Sequence, residues 1–368
     1  MKRRAIGWLA GIGMLHAAGV AVAAVAPGYQ LTDLGIASGY TASFAYGMSD
    51  NGKQVAGWVD NGTSTQAFRW STSTGMVLLG NGPGATASRG FSVNDQGLVA
   101  GETSFGTPRE ATVWTGTSPA GLGTLSNAGS SVAFGINNAG NVVGWSDSSD
   151  GTRAFSWESG SGMSSLGTLP GGTQTRAYNI NASGQSVGWG TTPAGDRGFT
   201  ASPALSAVPT ISGTGGRTRA FGNSNDNGWV AGDAQDPTLG DVAFVWSPTG
   251  GTVAMGLLAG AARSFGADVN SDGVAVGWAD GLPGGEQAYV WSTDTGMVAL
   301  DSLLVGTNGW SVQRARGIND SGAIIGNAMD ANGAMHAVLL TPVPEPSTWA
   351  LLGLGLLVTG AWRRRVHR

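Results

Sequence analysis

A polar tetrapeptide ending in glycine, then a short apolar run, then a second glycine, recurs seven times along this chain. A repeat of that length admits few folds, because one unit cannot bury its own apolar face and has to stack on its neighbours. The first copy is Met48-Ser49-Asp50-Asn51-Gly52 leading to Val55-Ala56-Gly57. The next are Asn94-Asp95-Gln96-Gly97 to Gly101, Asn137-Asn138-Ala139-Gly140 to Gly144, and Asn181-Ala182-Ser183-Gly184 to Gly188. Asn225-Asp226-Asn227-Gly228 to Gly232, Asn270-Ser271-Asp272-Gly273 to Gly277, and Asn319-Asp320-Ser321-Gly322 to Gly326 complete the set. The closing glycines stand 44, 43, 44, 44, 45 and 49 residues apart.

Each unit reads as strands. Asn-x-x-Gly suits a hairpin built on a type I turn, whose last residue needs the positive φ that glycine takes freely. Phe134-Gly135-Ile136 and Asn141-Val142-Val143 are then two antiparallel strands. Bulky alternation marks a third: Phe68 and Trp70, Phe155 and Trp157, Phe244 and Trp246, Tyr289 and Trp291. We expect Trp157 and Trp246 to be buried between units. A fourth strand is predicted at Leu122-Gly123-Thr124-Leu125 and at Leu166-Gly167-Thr168-Leu169, the latter reached through Gly162-Met163. Four short strands in about 44 residues is the arithmetic of a propeller blade.

The ends choose between a closed ring and an open stack. The seventh unit runs from Gly317 to Leu340 without a fourth strand, while Tyr29-Gln30-Leu31-Thr32-Asp33-Leu34-Gly35 stands alone before the first unit. Pairing the two gives an all-β, seven-bladed β-propeller closed by its N-terminal strand, with Gln30 to Gly35 against Ala337 to Thr341. Closure removes the hazard of an open sheet edge. An open β-repeat stack is the alternative, and it leaves the first strand unexplained.

Composition narrows the chemistry. Between the two ends stand 12 Lys and Arg against 22 Asp and Glu, a net charge of −10. That surface repels phosphate backbones, so nucleic acid is not an expected partner. Cysteine is absent, which excludes disulfides and thiolate catalysis. With one histidine, His336, in the repeat region, zinc and copper sites are not expected. Asp50, Asp95, Asp226, Asp272 and Asp320 sit in turns, where Asx geometry explains them. Asp268-Val269-Asn270-Ser271-Asp272-Gly273 matches half of a calcium loop, but Ala279 stands where a bidentate Glu is needed. Asp147-Ser148-Ser149-Asp150-Gly151 is a looser acidic loop. No cofactor is expected, calcium remaining a weak alternative. Trp58, Trp145, Trp189 and Trp278 follow the closing glycine in four units. They are candidates for stacking on glycans or for covering the adjacent blade. Arg89, Arg176, Arg219, Arg263 and Arg316, before the first strand, read as packing or rim-charge elements.

Both ends carry addresses. Lys2-Arg3-Arg4, the apolar stretch from Ile6 to Val22 and Ala21-Val22-Ala23 have the three parts of a secretory leader, ending near residue 23. The repeats then span 24–341. At the other end, Val343-Pro344-Glu345-Pro346 precedes an apolar run from Trp349 to Trp362 and the basic Arg363-Arg364-Arg365-Val366-His367-Arg368. Proline keeps the first part extended. The apolar run is 14 residues, short of the roughly 20 that a hydrocarbon core wants. It would serve as a temporary transmembrane helix, with arginines held inside. Residues 342–368 resemble the PEP-CTERM sorting signal of Gram-negative bacteria. The resemblance implies an exosortase and a signal peptidase as processing partners, transient inner-membrane anchoring, and delivery to the cell surface or exopolysaccharide matrix.

The repeat resembles the HAF repeat of exported bacterial proteins, over roughly residues 29–340. Its third strands open with Gln66-Ala67-Phe68, Arg153-Ala154-Phe155, Val242-Ala243-Phe244 and Gln287-Ala288-Tyr289. Only His336-Ala337-Val338 keeps the histidine, and Gly198-Phe199-Thr200-Ala201 lacks the tryptophan. The resemblance implies location and architecture but no reaction. A non-enzymatic structural, adhesive or binding protein is therefore expected. The alternatives are a polysaccharide-active propeller enzyme, lyase or glycoside hydrolase, and a glycan-binding module.

Overall fold

The structure, a computed structural model, describes residues 28–343 apart from 203, 212–214, 226 and 307–308. Among these residues are seven antiparallel sheets of four strands each. They make a closed seven-bladed propeller. The third blade shows the plan: Ser131–Ile136 lies innermost, followed outward by Val142–Ser148, Gly151–Glu158 and Gly162–Gly167. Five other blades repeat that order in sequence. In the seventh, Tyr29–Asp33 supplies the outermost strand against Met335–Pro342, with Tyr29 opposite Pro342 and Asp33 opposite Val338. Leu34 N–H donates to the Ala337 carbonyl at 3.0 Å, and Val343 N–H to the Gly28 carbonyl at 2.9 Å. The predicted closure is thus present in the predicted pairing.

The predicted turns link the first and second strands of the blades. Gly97, Gly140, Gly184, Gly273 and Gly322 each close theirs with an N–H to the carbonyl of the asparagine three residues earlier, at 2.9–3.0 Å. Their φ values of 78–84° are those that glycine takes without strain.

A β-bulge just inside each turn shapes the axis. In the third blade Ala133 faces Gly144 and Gly135 faces Val143, so Phe134 is left unpaired between them. Tyr46, Phe91, Tyr178, Phe221, Ala267 and Arg316 hold the same place in the other blades. The bulge bends the strand and brings its backbone over the neighbouring strand. This explains the closing glycine of the repeat: a Cβ on Gly144 would run into the Val132 carbonyl, and one on Gly188 into that of Arg176.

Between blades the core is built from third-strand aromatics. Phe68, Phe155, Phe199, Phe244 and Tyr289 are fully buried. Trp157 and Trp246 correct our expectation: both are only half-buried, packed at the border of the core clusters. The fourth strand of the second blade is also corrected. It is Ser118–Gly121, and Leu122–Leu125 follows it. Leu169, Leu79 and Val208, which follow the fourth strands of their blades, are buried anchors beneath the connections. The N–H groups of Leu79 and Val208 still donate to the Ala67 and Gly198 carbonyls of the third strands, at 2.8 and 2.7 Å.

Candidate functional site: the ring axis

Seven innermost strands converge on the axis, and side chains two apart on a strand point the same way. The bulged residues form a girdle. Phe91 and Phe134 lie 4.9 Å apart between ring centres, Phe134 and Tyr178 4.8 Å, Tyr178 and Phe221 5.1 Å, and Tyr46 and Phe91 5.1 Å. Two blades break the girdle, with Ala267 and Arg316. The Arg316 guanidinium lies over the Tyr46 ring at 5.3 Å and the Trp278 ring at 4.7 Å. Burial pulls its pKa down, and the Tyr46 phenol opposes that; burial in turn pushes Tyr46 up, opposed by Arg316.

From the girdle to the asparagine turns runs a cavity of about 120 Å³, lined by residues of all seven blades. Asp268 is its one girdle-side carboxyl, next to the bulge of the sixth blade. One carboxyl oxygen accepts the Ile318 N–H at 3.1 Å, and the side chain occupies the space a Cβ on Gly222 would need. Burial raises its pKa from 3.8 to about 7, against the lowering effect of the Ile318 and Val269 N–H groups; the carboxylates of Asp50 and Asp320 raise it further. At the turn end, Asn138 donates to both Asp50 and Asp95 at 3.0 Å across the opening.

On the other side of the girdle, where the chain enters each innermost strand, lies a second layer two residues earlier. It holds Phe44, Arg89, Val132, Arg176, Arg219, Phe265 and Arg314, cross-strand neighbours of Trp58, Glu102, Trp145, Trp189, Asp233, Trp278 and Asn327. All four candidate indoles therefore fall in one annulus, each half-buried. Trp58 stacks on Phe44 at 5.6 Å and Trp278 on Phe265 at 5.3 Å. Arg176 sits over Trp145 at 5.0 Å and Trp189 at 5.7 Å, and Arg219 over Trp189 at 4.7 Å. Arg89 lies over Trp58 at 5.6 Å and Arg314 over Trp278 at 5.1 Å. Arg219 pairs with Asp196, Arg314 with Glu286, and Arg89 more loosely with Glu102 at 3.6 Å.

The arginine series needs two corrections. Arg314, not Arg316, occupies the repeat position, and Arg316 belongs to the girdle; Arg263 pairs outside the annulus with Asp280 at 2.8 Å. His336 lies 2.9 Å from Asp33 on the closing strand and edge-on to Trp310, at the rim of the seventh blade. In the half calcium loop, the Asn270 oxygen accepts N–H groups from Asp272 and Val274 at 3.1 and 3.0 Å, which is turn geometry. Among the described residues no three His, Cys, Asp or Glu side chains are grouped to hold a metal ion. The annulus was half legible: the tryptophans recur in register, but their pairing with arginine crosses a strand and could not be read from spacing.

Residues 342–365 match the family described as the PEP-CTERM protein-sorting motif. The chain carries the sorting signal of an exported protein. An exosortase recognises this motif, and it marks export and surface sorting in Gram-negative bacteria. Of the predicted signal only Pro342 and Val343 are described; Pro344, Glu345, Pro346, Arg363, Arg364 and Arg365 lie outside the described residues, as does the leader. No helix among the described residues is long and apolar enough to cross a membrane. No curated protein matches the chain as a relative. Among solved structures, an oligogalacturonate lyase from Vibrio parahaemolyticus is similar over 86% of this chain and 94% of its own, at 12% identity and a TM-score of 0.51. A streptogramin B lyase is similar over 85% and 98%, at 12% identity and a TM-score of 0.48. At 12% identity the first likeness speaks for the fold alone, and the second adds nothing to it.

Proposed function

We propose that this protein is a component of the cell surface or exopolysaccharide matrix, anchored transiently in the inner membrane and sorted by an exosortase, and that its propeller binds rather than catalyses. The observation that carries the reading is the sorting motif, which begins at Pro342, the last residue of the strand on which the N-terminal closing strand pairs. An address attached directly to a closed ring suits a domain displayed or deposited outside the cell. Its stability comes from burial and hydrogen bonding without disulfides, as the absence of cysteine requires.

A polysaccharide-cleaving enzyme is the second reading, favoured by Asp268 beside the axis with a pKa of about 7, in the range of a general acid or base. Size speaks against it. The cavity of about 120 Å³ falls below the ~300–1,000 Å³ of typical ligand pockets. The Asp50 carboxylate is also engaged by Asn138. The exported protein should therefore retain glycans on an array while a cleavage screen on the same glycans yields no new chain ends. Turnover that Asp268→Asn abolishes would replace the binding reading with the enzymatic one.

A further inference from the structure

We propose that the tryptophan–arginine annulus binds the end of a carboxylate-bearing glycan chain, with indoles stacking on sugar rings and free guanidiniums taking the carboxylates. The proposal rests on the binding reading above and gives it a ligand class.

Charge placement comes first. The region between the two ends is acidic, yet four of its 12 basic residues, Arg89, Arg176, Arg219 and Arg314, gather in the annulus at this one mouth, and a fifth, Arg316, lies just behind them in the girdle. Three of them have acidic partners, while Arg176 and Arg316 form no ion pair among the described residues. Each is instead held between two rings: Arg176 between Trp145 and Trp189, Arg316 between Tyr46 and Trp278. A ring face attracts the charge but uses none of the N–H donors. The Nε atoms of Arg89, Arg176 and Arg316 are buried without a hydrogen-bond partner. Leaving a buried donor unmatched is unfavourable, and a carboxylate matches the planar guanidinium fork better than any neutral acceptor.

The indoles decide the rest of the ligand. Trp58, Trp145, Trp189 and Trp278 give half-buried, rigid, largely apolar platforms beside the cations. The C–H faces of sugar rings fit such platforms, and a uronate offers both that face and the carboxylate. The surrounding acidic surface repels the middle of a long polyanion, whereas a chain end entering along the axis meets the annulus first.

The test uses the exported protein with alginate oligomers as the acidic probe and cello-oligomers as the neutral one, read by calorimetry and tryptophan fluorescence. Alginate oligomers should bind, with quenching, and more weakly as NaCl is raised. Arg176→Gln should lower affinity by about tenfold or more without shifting the melting temperature. Arg153→Gln, outside the annulus, should leave affinity unchanged. Arg176→Lys keeps the charge but loses the fork, and should recover only part of the binding. Salt-insensitive binding, or a folded Arg176→Gln with wild-type affinity, overturns the proposal. Equal binding of both oligomers overturns the ligand class while the binding reading stands. A folded protein that retains no glycan overturns both.

Discussion

Gly144 has no side chain because the Val132 carbonyl, pushed over it by the neighbouring bulge, occupies the place where a Cβ would go. Backbone cannot step aside as a side-chain tip can. Gly144→Ala should therefore destabilise by about 3 kcal/mol or more, at the upper end of overpacking effects. Gly284→Ala, where a Cβ meets nothing within 4 Å and φ is not positive, should stay within ~0.5 kcal/mol of wild type. Denaturant titration of the two variants checks both. Asp268 gives a second prediction. Its pKa is raised from 3.8 to about 7 in the folded protein, so the fold prefers the protonated acid. Its contribution is fully present below pH 3.8 and is lost as pH rises through about 7. Asp268→Asn should remove that loss, so that the variant gains stability over wild type on going from pH 4 to pH 8. Thermal melts across that range should show the gain; parallel curves for the two proteins would contradict it.

At the scale of elements, the asparagine turns do more than reverse the chain. The Asn137 oxygen accepts N–H groups of Ala139 and Asn141 within its own turn, while its amide reaches the Asn181 carbonyl in the next blade at 3.2 Å. Asn94 reaches Asn137 and Asn181 reaches Ser224 in the same way, at 3.1 and 3.0 Å. Each of these asparagine turns is thus also a clasp between blades. Asn137→Ala should cost about 1–3 kcal/mol, because it strands buried backbone groups on both sides; Asn332→Ala, in an exposed outer turn, should cost far less. The sequence showed the turns, since glycine spacing reports local backbone need. It did not show the clasps, because the partner lies a whole repeat away. The same limit misplaced Arg316: it lies two residues from Arg314, on the same face, and only the bulge separates girdle from annulus. Leu122–Leu125 was misread for a different reason: apolar residues under a connection and apolar residues in a ladder look alike in sequence.

For the molecule as a whole, two terminal facts act together. The outermost strand of the last blade comes from the start of the repeat region, and the sorting motif begins where that blade ends. Replacing Pro344-Glu345-Pro346 with alanines should leave a folded propeller retained in the membrane fraction, because the extended segment before the short apolar run is lost. Normal release of that variant, with unchanged mass, would contradict the sorting account. Closure and export meet in one measurement. Gln30 and Thr341 face each other across the closing pair, at the ~5.5 Å Cα separation of a hydrogen-bonded antiparallel pair, which lies inside the Cα range a disulfide spans, in a chain that otherwise has no cysteine. The Gln30→Cys, Thr341→Cys protein, recovered from outside the cytoplasm and run without reductant, should be a monomer with both thiols blocked and a higher melting temperature than its reduced form. A folded protein recovered with two free thiols that added oxidant cannot join would contradict the closed ring.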